Sequence, residues 1–254
     1  MPTNLVLLTG WAVPARRLAP LAAALEKRPG TIVHSFDLAD VELPLDWKPN
    51  DDASPSPYAR AMIQQLSALQ APRVLVGWST GALMALETAC HAPDLVERMV
   101  LISPTACYCR RAEYAHGPRP AVVRGMMAGM GTERQAHILR DFFVATAHPN
   151  SVSEKELAQH LDEASARDAT TLKAGLHYLL SMDLRDRLPS LEQPTLVIHG
   201  VDDQIVPMDA GKWVCDALPH GVQILREGFG HDLPLTEPAG LAQPIIDFLD
   251  DIHT

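Results

Sequence analysis

The amino-acid sequence predicts an α/β fold, a doubly wound and mostly parallel sheet with helices on both faces. Short apolar runs that end at glycine or at a turn alternate along the chain with Ala- and Leu-rich segments of helical periodicity. Alternating strands and helices favour parallel pairing, and apolar runs are typical of strands buried on both faces. The alternation stops at residues 104–187, where helical periodicity dominates. We therefore expect a helical insertion there.

The individual elements follow from these patterns. An apolar run at 5–10 predicts the first strand, and the stretch 14–27 predicts the first helix. The Pro- and Asp-rich segment 43–57 predicts a loop. Further strands are predicted at 31–36, 74–78, 99–103, 194–200 and 221–225, and further helices at 58–69, 82–91, 134–145 and 154–180, with a helical stretch between the last two strands.

Length, composition and charge limit the possible functions. A chain of 254 residues can bury one large core, which we assign to 1–103 and 188–254, with 104–187 as a helical cap. No apolar run approaches the length of a membrane span, and a net charge of -10 argues against nucleic-acid binding. Four scattered cysteines fit neither a disulfide scaffold nor a zinc site. We expect a cytoplasmic monomer with reduced thiols, no metal, and no nucleic-acid or membrane partner.

A Gly-x-Ser-x-Gly pentapeptide stands between a predicted strand and a predicted helix, in the stretch VLVGWSTG. Small residues two positions before and after a serine permit a very tight turn, and Gly77 and Gly81 meet that need. The turn would present the Ser79 hydroxyl at a helix N-terminus, where developing negative charge is favoured. An ordinary glycine-flanked turn has the same pattern, so the interpretation depends on partners elsewhere in the chain.

An acid and a histidine follow the serine in the order that such a turn requires. Asp203 comes directly after the strand predicted at 194–200, with Asp202 as the alternative, and His231 lies on a glycine-rich loop after the next strand. A carboxylate can orient an imidazole, which can then take the serine proton. The backbone N–H groups of Thr80 and Trp11 are the candidate donors to the oxyanion, although Trp11 also fits the role of a buried anchor.

These residues resemble the α/β-hydrolase family through GWSTG, HGVDDQIVP and GFGHD, and the resemblance covers essentially the whole chain. LLTGW, LKAGLHYLLSMDLRDRLPSL and GFGHDLPLTEP are similar to a branch of that family, the biotin-pathway esterases that act on the methyl ester of a pimeloyl group carried by acyl carrier protein. The resemblance implies a triad of Ser79, Asp203 and His231 with no cofactor. It also departs from the family: Thr9-Gly10 replaces His-Gly, and the N-terminal strands are shortened or missing.

The predicted cap begins with a basic half, which is either a solvated face or a docking surface for an acidic partner. The resemblance implies that Arg134 and Arg140 hold the carrier protein and its phosphopantetheine arm. Phe142 and Phe143 would line an acyl channel or pack in the core. The arginines of this half outnumber Glu113 and Glu133 and are Arg110, Arg111, Arg119, Arg124, Arg134 and Arg140.

Other functions of the same fold stay open at this level. A serine nucleophile argues against epoxide hydrolases and haloalkane dehalogenases, which attack with a carboxylate. A small-molecule esterase, a thioesterase or a carbon–carbon bond hydrolase would use the same three residues. A receptor that keeps the fold only to bind a ligand is a further alternative, because a fold alone does not fix a function.

Overall fold

The computed structural model describes residues 2–49 and 54–251, so residues 50–53 of the predicted loop lie outside the described part. Six strands form one parallel sheet in the order β2-β1-β3-β4-β5-β6. The predicted α/β class is confirmed. The strands are β1 (Thr3–Leu8), β2 (Thr31–Phe36), β3 (Arg73–Trp78), β4 (Arg98–Ile102), β5 (Thr195–Gly200) and β6 (Gly221–Arg226).

Strand burial follows position in the sheet. β5 is buried along its whole length and β1, β3 and β4 are buried after their first residue, whereas the edge strands β2 and β6 are mostly half-buried or exposed. The strand order reverses between β1 and β3, since the chain runs from β1 to one edge and from β3 to the other. At such a switch point the loops after the two strands diverge and leave a crevice at their carboxyl ends. Gly10 and Ser79 follow these two strands.

The helices pack around this sheet. Helix α1 packs against α10, α2 packs against α3, and α8 packs on β5 and β6. Four helices, α4 to α7, come between β4 and β5, where α4 packs on α7 and α5 on α6. The helices are α1 (Ala19–Leu25), α2 (Pro57–Ser67), α3 (Thr80–His91), α4 (Pro120–Gly129), α5 (Gln135–Thr146), α6 (Glu154–Ser165), α7 (Ala169–Ser181), α8 (Met208–Ala217), α9 (Leu233–Thr236) and α10 (Pro238–Asp250).

The predicted helical stretch 154–180 is wrong in one respect, because it consists of two helices. Helix α6 ends at Ser165, and the Asp168 side chain accepts a hydrogen bond of 2.6 Å from the Thr170 N–H to begin α7. An aspartate that caps a helix satisfies an N–H group that has no partner inside the helix, so it favours a new start over continuation. The predicted helix 14–27 likewise starts with a 3-10 turn at Ala15–Leu18 before α1.

A buried polar network joins helix α7 to the sheet domain. Glu87 of α3 accepts hydrogen bonds of 2.7 Å from Tyr178 of α7 and from both the N–H and the hydroxyl of Ser56, the residue that caps α2. Burial raises the pKa of the Glu87 carboxyl, and the donors from Ser56 and Tyr178 oppose that rise. The division into core and cap stays a prediction, but this network fixes α7 on α2 and α3.

Candidate active site

The serine turn is built as its glycines predict. Ser79 lies between β3 and α3 with φ 57° and ψ -118°, a conformation that non-glycine residues rarely adopt. A β-carbon at Gly77 would collide with the Gly81 carbonyl, and one at Gly81 would collide with the Leu8 carbonyl. The Ser79 N–H donates to the Ile102 carbonyl at 2.9 Å, which fixes the turn to the end of β4. The strained backbone therefore holds the hydroxyl above the carboxyl ends of the strands.

Three side chains from distant parts of the chain meet at this turn. His231 Nε2 lies 2.9 Å from Ser79 Oγ, and His231 Nδ1 lies 2.7 Å from Asp203 Oδ2. The other carboxylate oxygen, Asp203 Oδ1, accepts hydrogen bonds from the N–H groups of Ile205 at 2.8 Å and Val206 at 2.9 Å. The structure thus brings Asp203, rather than Asp202, to the imidazole.

Neighbouring groups hold the His231 loop in place. The Trp78 indole N–H donates to the His231 carbonyl at 2.8 Å, and a β-carbon at Gly230 would collide with the His148 carbonyl. His231 is 1% exposed and Asp203 is 7% exposed. The imidazole is therefore oriented from both sides in a site with little water, where hydrogen bonds to charge are strong.

Two aspartates near the imidazole have opposite pKa shifts. Burial raises the pKa of the Asp203 carboxyl, but the charge of His231 and the hydrogen bonds from His199 and His231 outweigh it, so its pKa lies well below the usual value. Burial raises the pKa of Asp232 to about 6, and the charge of Asp203 adds to that rise while His231 opposes it. Asp203 is therefore ionised at neutral pH and can stabilise a charged imidazole.

The turn after β1 faces the serine. A β-carbon at Gly10 would lie 3.3 Å from Ser79 Cβ and 3.7 Å from Ser79 Oγ. Trp11 follows Gly10, and its side chain is fixed because the indole N–H donates to the Leu172 carbonyl of α7 at 2.9 Å. Thr80 is the first residue of α3, directly after the serine. Trp11 therefore follows the turn that faces Ser79 and Thr80 follows Ser79 in the chain, while the oxyanion role of their backbone N–H groups stays a prediction.

Comparison with known proteins places this arrangement in a family. The model of the alpha/beta hydrolase family matches residues 5–243. The chain belongs to that family. A protein of Nitrosomonas europaea named pimeloyl-[acyl-carrier protein] methyl ester esterase is 29% identical over 237 residues, which cover 90% of this chain and 88% of the relative. A protein of the same name from Stenotrophomonas maltophilia strain R551-3 is 31% identical, with 91% and 86% covered.

Solved structures share the fold of this hydrolase. A bromoperoxidase from Bacillus anthracis has a TM-score of 0.84 at 23% identity and covers 99% of this chain and 93% of its own. An esterase from Exiguobacterium antarcticum has a TM-score of 0.80 at 20% identity, with 98% and 92% covered. At such low identity these structures show the fold alone. Together with the named relatives, the family confirms the prediction that this chain is a carboxylic ester hydrolase.

The two phenylalanines that were predicted to line a channel of the hydrolase contact each other edge to face, with ring centroids 5.2 Å apart, but they border different cavities. The Phe142 ring packs edge-on against Trp11, with centroids 4.9 Å apart, and borders a mostly apolar cavity of about 260 Å³. Phe143 is 3% exposed and stacks on His160 at 4.8 Å. Phe142 therefore lies at this cavity, whereas Phe143 packs between α5 and α6 and borders a separate cavity that His160 and Asp232 also line. The cavity is lined by Tyr108, Met126, Ile138, Asp141, Phe142 and Ile205.

The two arginines predicted to hold a carrier protein lie on the surface of the hydrolase. Arg134 immediately precedes α5 and its side chain is exposed, without an ion-pair or hydrogen-bond partner in residues 2–49 and 54–251. Arg140 is exposed on α5, and its guanidinium lies 3.6 Å from the Glu154 carboxylate. Within the described residues, neither guanidinium makes a hydrogen bond or ion pair with a residue that lines the apolar cavity. Their predicted role needs a bound partner.

Several residues at the site are not singled out by sequence patterns. His199 on β5 contacts Asp203, and Asp232 is buried beside His231. Both lie in motifs in which the neighbouring residue, Asp203 or His231, is the predicted functional residue. In the sequence, the place of His199 directly before Gly200 in the motif HGVDDQIVP could have indicated that it lies near Asp203. Within the described residues, no group of His, Cys, Asp and Glu could hold a metal ion, and no helix is long and apolar enough to span a membrane.

Proposed function

We propose that this hydrolase is a serine carboxylesterase that removes the methyl ester from a pimeloyl group carried on acyl carrier protein. The observation that carries the proposal is the continuous hydrogen-bonded chain from Ser79 Oγ through His231 to Asp203 Oδ2. In this proposal Ser79 is the nucleophile, His231 is the general base and acid, and Asp203 orients the imidazole. The backbone N–H groups of Trp11 and Thr80 bind the oxyanion.

In the acylation half of the reaction, His231 Nε2 takes the proton of Ser79 Oγ as that oxygen attacks the ester carbonyl carbon. The carbonyl oxygen becomes an oxyanion next to the Gly10-Trp11 turn and the start of α3, where the helix N-terminus favours negative charge. His231 then gives its proton to the methoxy oxygen as the carbon–oxygen bond breaks. Methanol leaves, and the acyl group stays bonded to Ser79.

In the second half, a water molecule attacks the acyl-enzyme while His231 Nε2 takes one of its protons. The bond between the carbonyl carbon and Ser79 Oγ breaks, and His231 returns the proton to Ser79. The product is a free carboxylic acid. Asp203 stays ionised throughout, because its pKa lies well below neutrality and because it is the counter-charge of the imidazolium.

The choice of substrate rests on the relatives and on the cavity. The relatives from Nitrosomonas and Stenotrophomonas carry a name that specifies a pimeloyl-acyl carrier protein methyl ester. The apolar cavity next to Phe142 suits an acyl chain, and Ile205 connects it to the Asp203 loop. A carrier protein is acidic, so the exposed Arg134, just before α5, and Arg140, within α5, form the surface that would attract it. The overall charge of -10 opposes that attraction and makes a local patch necessary.

The test is mass spectrometry of methyl-pimeloyl-acyl carrier protein incubated with wild type and with Ser79→Ala, beside a panel of short p-nitrophenyl esters. Loss of the ester methyl group only with wild type, at a much higher rate than panel cleavage, is the expected result. Panel cleavage with an untouched carrier substrate would leave a serine esterase of small molecules. Turnover of both substrates by a folded Ser79→Ala protein would reject the nucleophile.

A further inference from the structure

A second histidine contacts the carboxylate that faces His231. His199 lies near the end of β5 and is fully buried. Its Nε2 atom lies 2.9 Å from the Val206 carbonyl and 3.4 Å from Asp203 Oδ2. This oxygen is the one that His231 Nδ1 contacts at 2.7 Å. Two imidazoles from different strand ends thus share one carboxylate oxygen.

The surroundings of His199 determine where its proton lies. The Val206 carbonyl and the ionised carboxylate only accept hydrogen bonds, so Nε2 must carry a proton and donate it. The other ring nitrogen, Nδ1, is buried and has no hydrogen-bond partner within the described residues. A β-carbon at Gly211 of α8 would collide with Nδ1, so the ring lies tightly between α8 and the Asp203 loop. The Nε2–H therefore donates to the Val206 carbonyl at 2.9 Å, with Asp203 Oδ2 as a second and longer acceptor at 3.4 Å.

We propose that His199 is a positioning residue, which fixes the Asp203 carboxylate for its contact with His231 through this shared Nε2–H. The inference rests on the roles proposed for Ser79, Asp203 and His231. The Asp203 Oδ1 atom is held by two backbone N–H groups, and His199 completes the set by holding Oδ2 from the side of β5. The same N–H binds the loop at Val206, so carboxylate and loop move together.

The expected consequence is a change in the chemical step rather than in substrate binding. Without the His199 donor the carboxylate keeps its contact with His231 but is held less rigidly, and a less well positioned base slows proton transfer. The donor also reduces the negative charge that His231 meets on Oδ2. Without it the imidazolium is stabilised more, and the acid limb of the pH profile moves to higher pH. Other ionisable groups that act on Asp203 are His231, Asp232 and Tyr108, which all stay unchanged.

Three substitutions separate this role from simple packing. In His199→Gln the amide nitrogen can occupy the place of Nε2, because the two side chains have the same number of bonds to that atom. In His199→Asn the amide reaches only the place of Nδ1, and His199→Met has no donor. We expect kcat for p-nitrophenyl acetate to fall about ten-fold in the Asn and Met variants, with KM nearly unchanged, and to recover largely in the Gln variant.

The pH profile is the measurement that a packing role would not alter. The acid limb of kcat/KM should move up by about half a pH unit in His199→Met and stay in place in His199→Gln. Thermal unfolding and stoichiometric labelling of Ser79 with a fluorophosphonate verify the folded fraction of each variant. If His199→Met does not fold, the Gln and Asn pair decides, since both keep an amide in the buried space.

The outcomes separate this inference from the proposed function. Equal kcat values and equal acid limbs in the Gln and Asn variants would overturn the positioning role. Full activity of His199→Met, with an inactive Ser79→Ala, would overturn it while leaving the triad intact. Cleavage of p-nitrophenyl acetate by folded Ser79→Ala would overturn the triad, and the role of His199 with it. The simple ester makes these results independent of which natural substrate the enzyme uses.

Discussion

The carboxyl edge of the sheet and the helices between β4 and β5 present their functional residues in different ways. At the sheet edge, Ser79, His231 and Asp203 are joined by contacts of 2.9 Å and 2.7 Å, and each makes a further hydrogen bond that fixes it. In the helical segment, the predicted residues have different surroundings: Phe142 and Phe143 border different cavities, and Arg134 is exposed. The predicted residues at the sheet edge thus contact one another in the absence of any ligand.

This difference has a physical origin. Loops after parallel strands must emerge at one edge of the sheet, so short motifs at strand ends are brought together by topology alone. A helical segment has no such constraint, because the direction of each side chain depends on the packing of α4 against α7 and α5 against α6. The sheet therefore fixes the positions of the candidate catalytic residues, and side chains of the helical segment can change without disturbing them.

The largest expected effect distinguishes two neighbouring residues at the sheet edge. Asp203→Asn should lower kcat by about 10⁴-fold, because an amide favours the wrong imidazole tautomer and cannot balance the imidazolium charge. Asp202→Asn is the matched control, since the Asp202 carboxylate has no hydrogen-bond or ion-pair partner in the part of the chain that the structure describes. Its kcat should stay near that of wild type. Rates with p-nitrophenyl acetate at neutral pH measure both.

The opposite result would mean that Asp202, and not Asp203, is the carboxylate that acts with His231. If Asp202→Asn loses activity and Asp203→Asn keeps it, the loop after β5 must rearrange in solution. Comparable losses in both variants would indicate damage to the loop, and thermal unfolding of each protein would reveal it.

A smaller effect concerns Asp232, where the sheet edge meets α5 and α6. This buried carboxyl lines a cavity with Phe143 and His160 and has a pKa of about 6, above the value of 3.8 for an unperturbed aspartate. Between these values the folded protein keeps a proton that the unfolded chain has lost, so stability falls as pH rises from about 4 to about 6. Asp232→Asn removes this loss and should raise the free energy of unfolding at pH 7 by about 3 kcal/mol.

Urea unfolding at pH 4 and pH 7 measures this prediction. The gain should be present at pH 7 and absent at pH 4, where the wild-type carboxyl is neutral in the folded state. Asp209→Asn, an exposed position on α8, controls for the change in net charge. An equal gain at both pH values would show that the amide packs better and that proton binding has no part in it.

Sequence patterns predict the sheet edge well because its information is local. The Gly-x-Ser-x-Gly turn, the acid after β5 and the histidine after β6 each follow a strand within a few residues. The contact of His199 with Asp203 is harder to predict, although both residues belong to one short motif. A histidine in a buried strand can equally be a residue that only packs in the core. Which of two aspartates faces the imidazole is settled only by loop geometry.

The helical segment is predicted less well for a related reason. The break between α6 and α7 depends on the capping role of Asp168, which competes with helical periodicity on both sides. The network of Ser56, Glu87 and Tyr178 joins residues far apart in the chain, and no periodicity encodes such contacts. The directions of Phe142 and Phe143 follow from the packing of α5, which sequence alone does not fix.

The smallest expected effect tests whether the helical segment selects an acidic partner. Arg134→Glu should lower kcat/KM for a carrier-bound methyl ester about ten-fold at low salt and leave p-nitrophenyl acetate cleavage unchanged, because the charge acts on docking only. Arg140→Glu should have a smaller effect, since Glu154 already offsets part of the Arg140 charge. Arg60→Glu, an exposed position on α2, makes the same change in net charge outside the segment.

The salt dependence of the same rates separates docking from other causes. Exposed charges are screened at high ionic strength, so the deficit of Arg134→Glu should shrink as salt is added. A loss that is independent of salt would place Arg134 in a direct contact with the acyl arm. Equal losses in Arg60→Glu and Arg134→Glu would mean that the overall charge of -10 governs the encounter and that no local patch on α5 exists. In that case the arginines of the helical segment would have no part in binding the carrier protein. The residues that line the cavity beside Phe142 would then have to select the substrate.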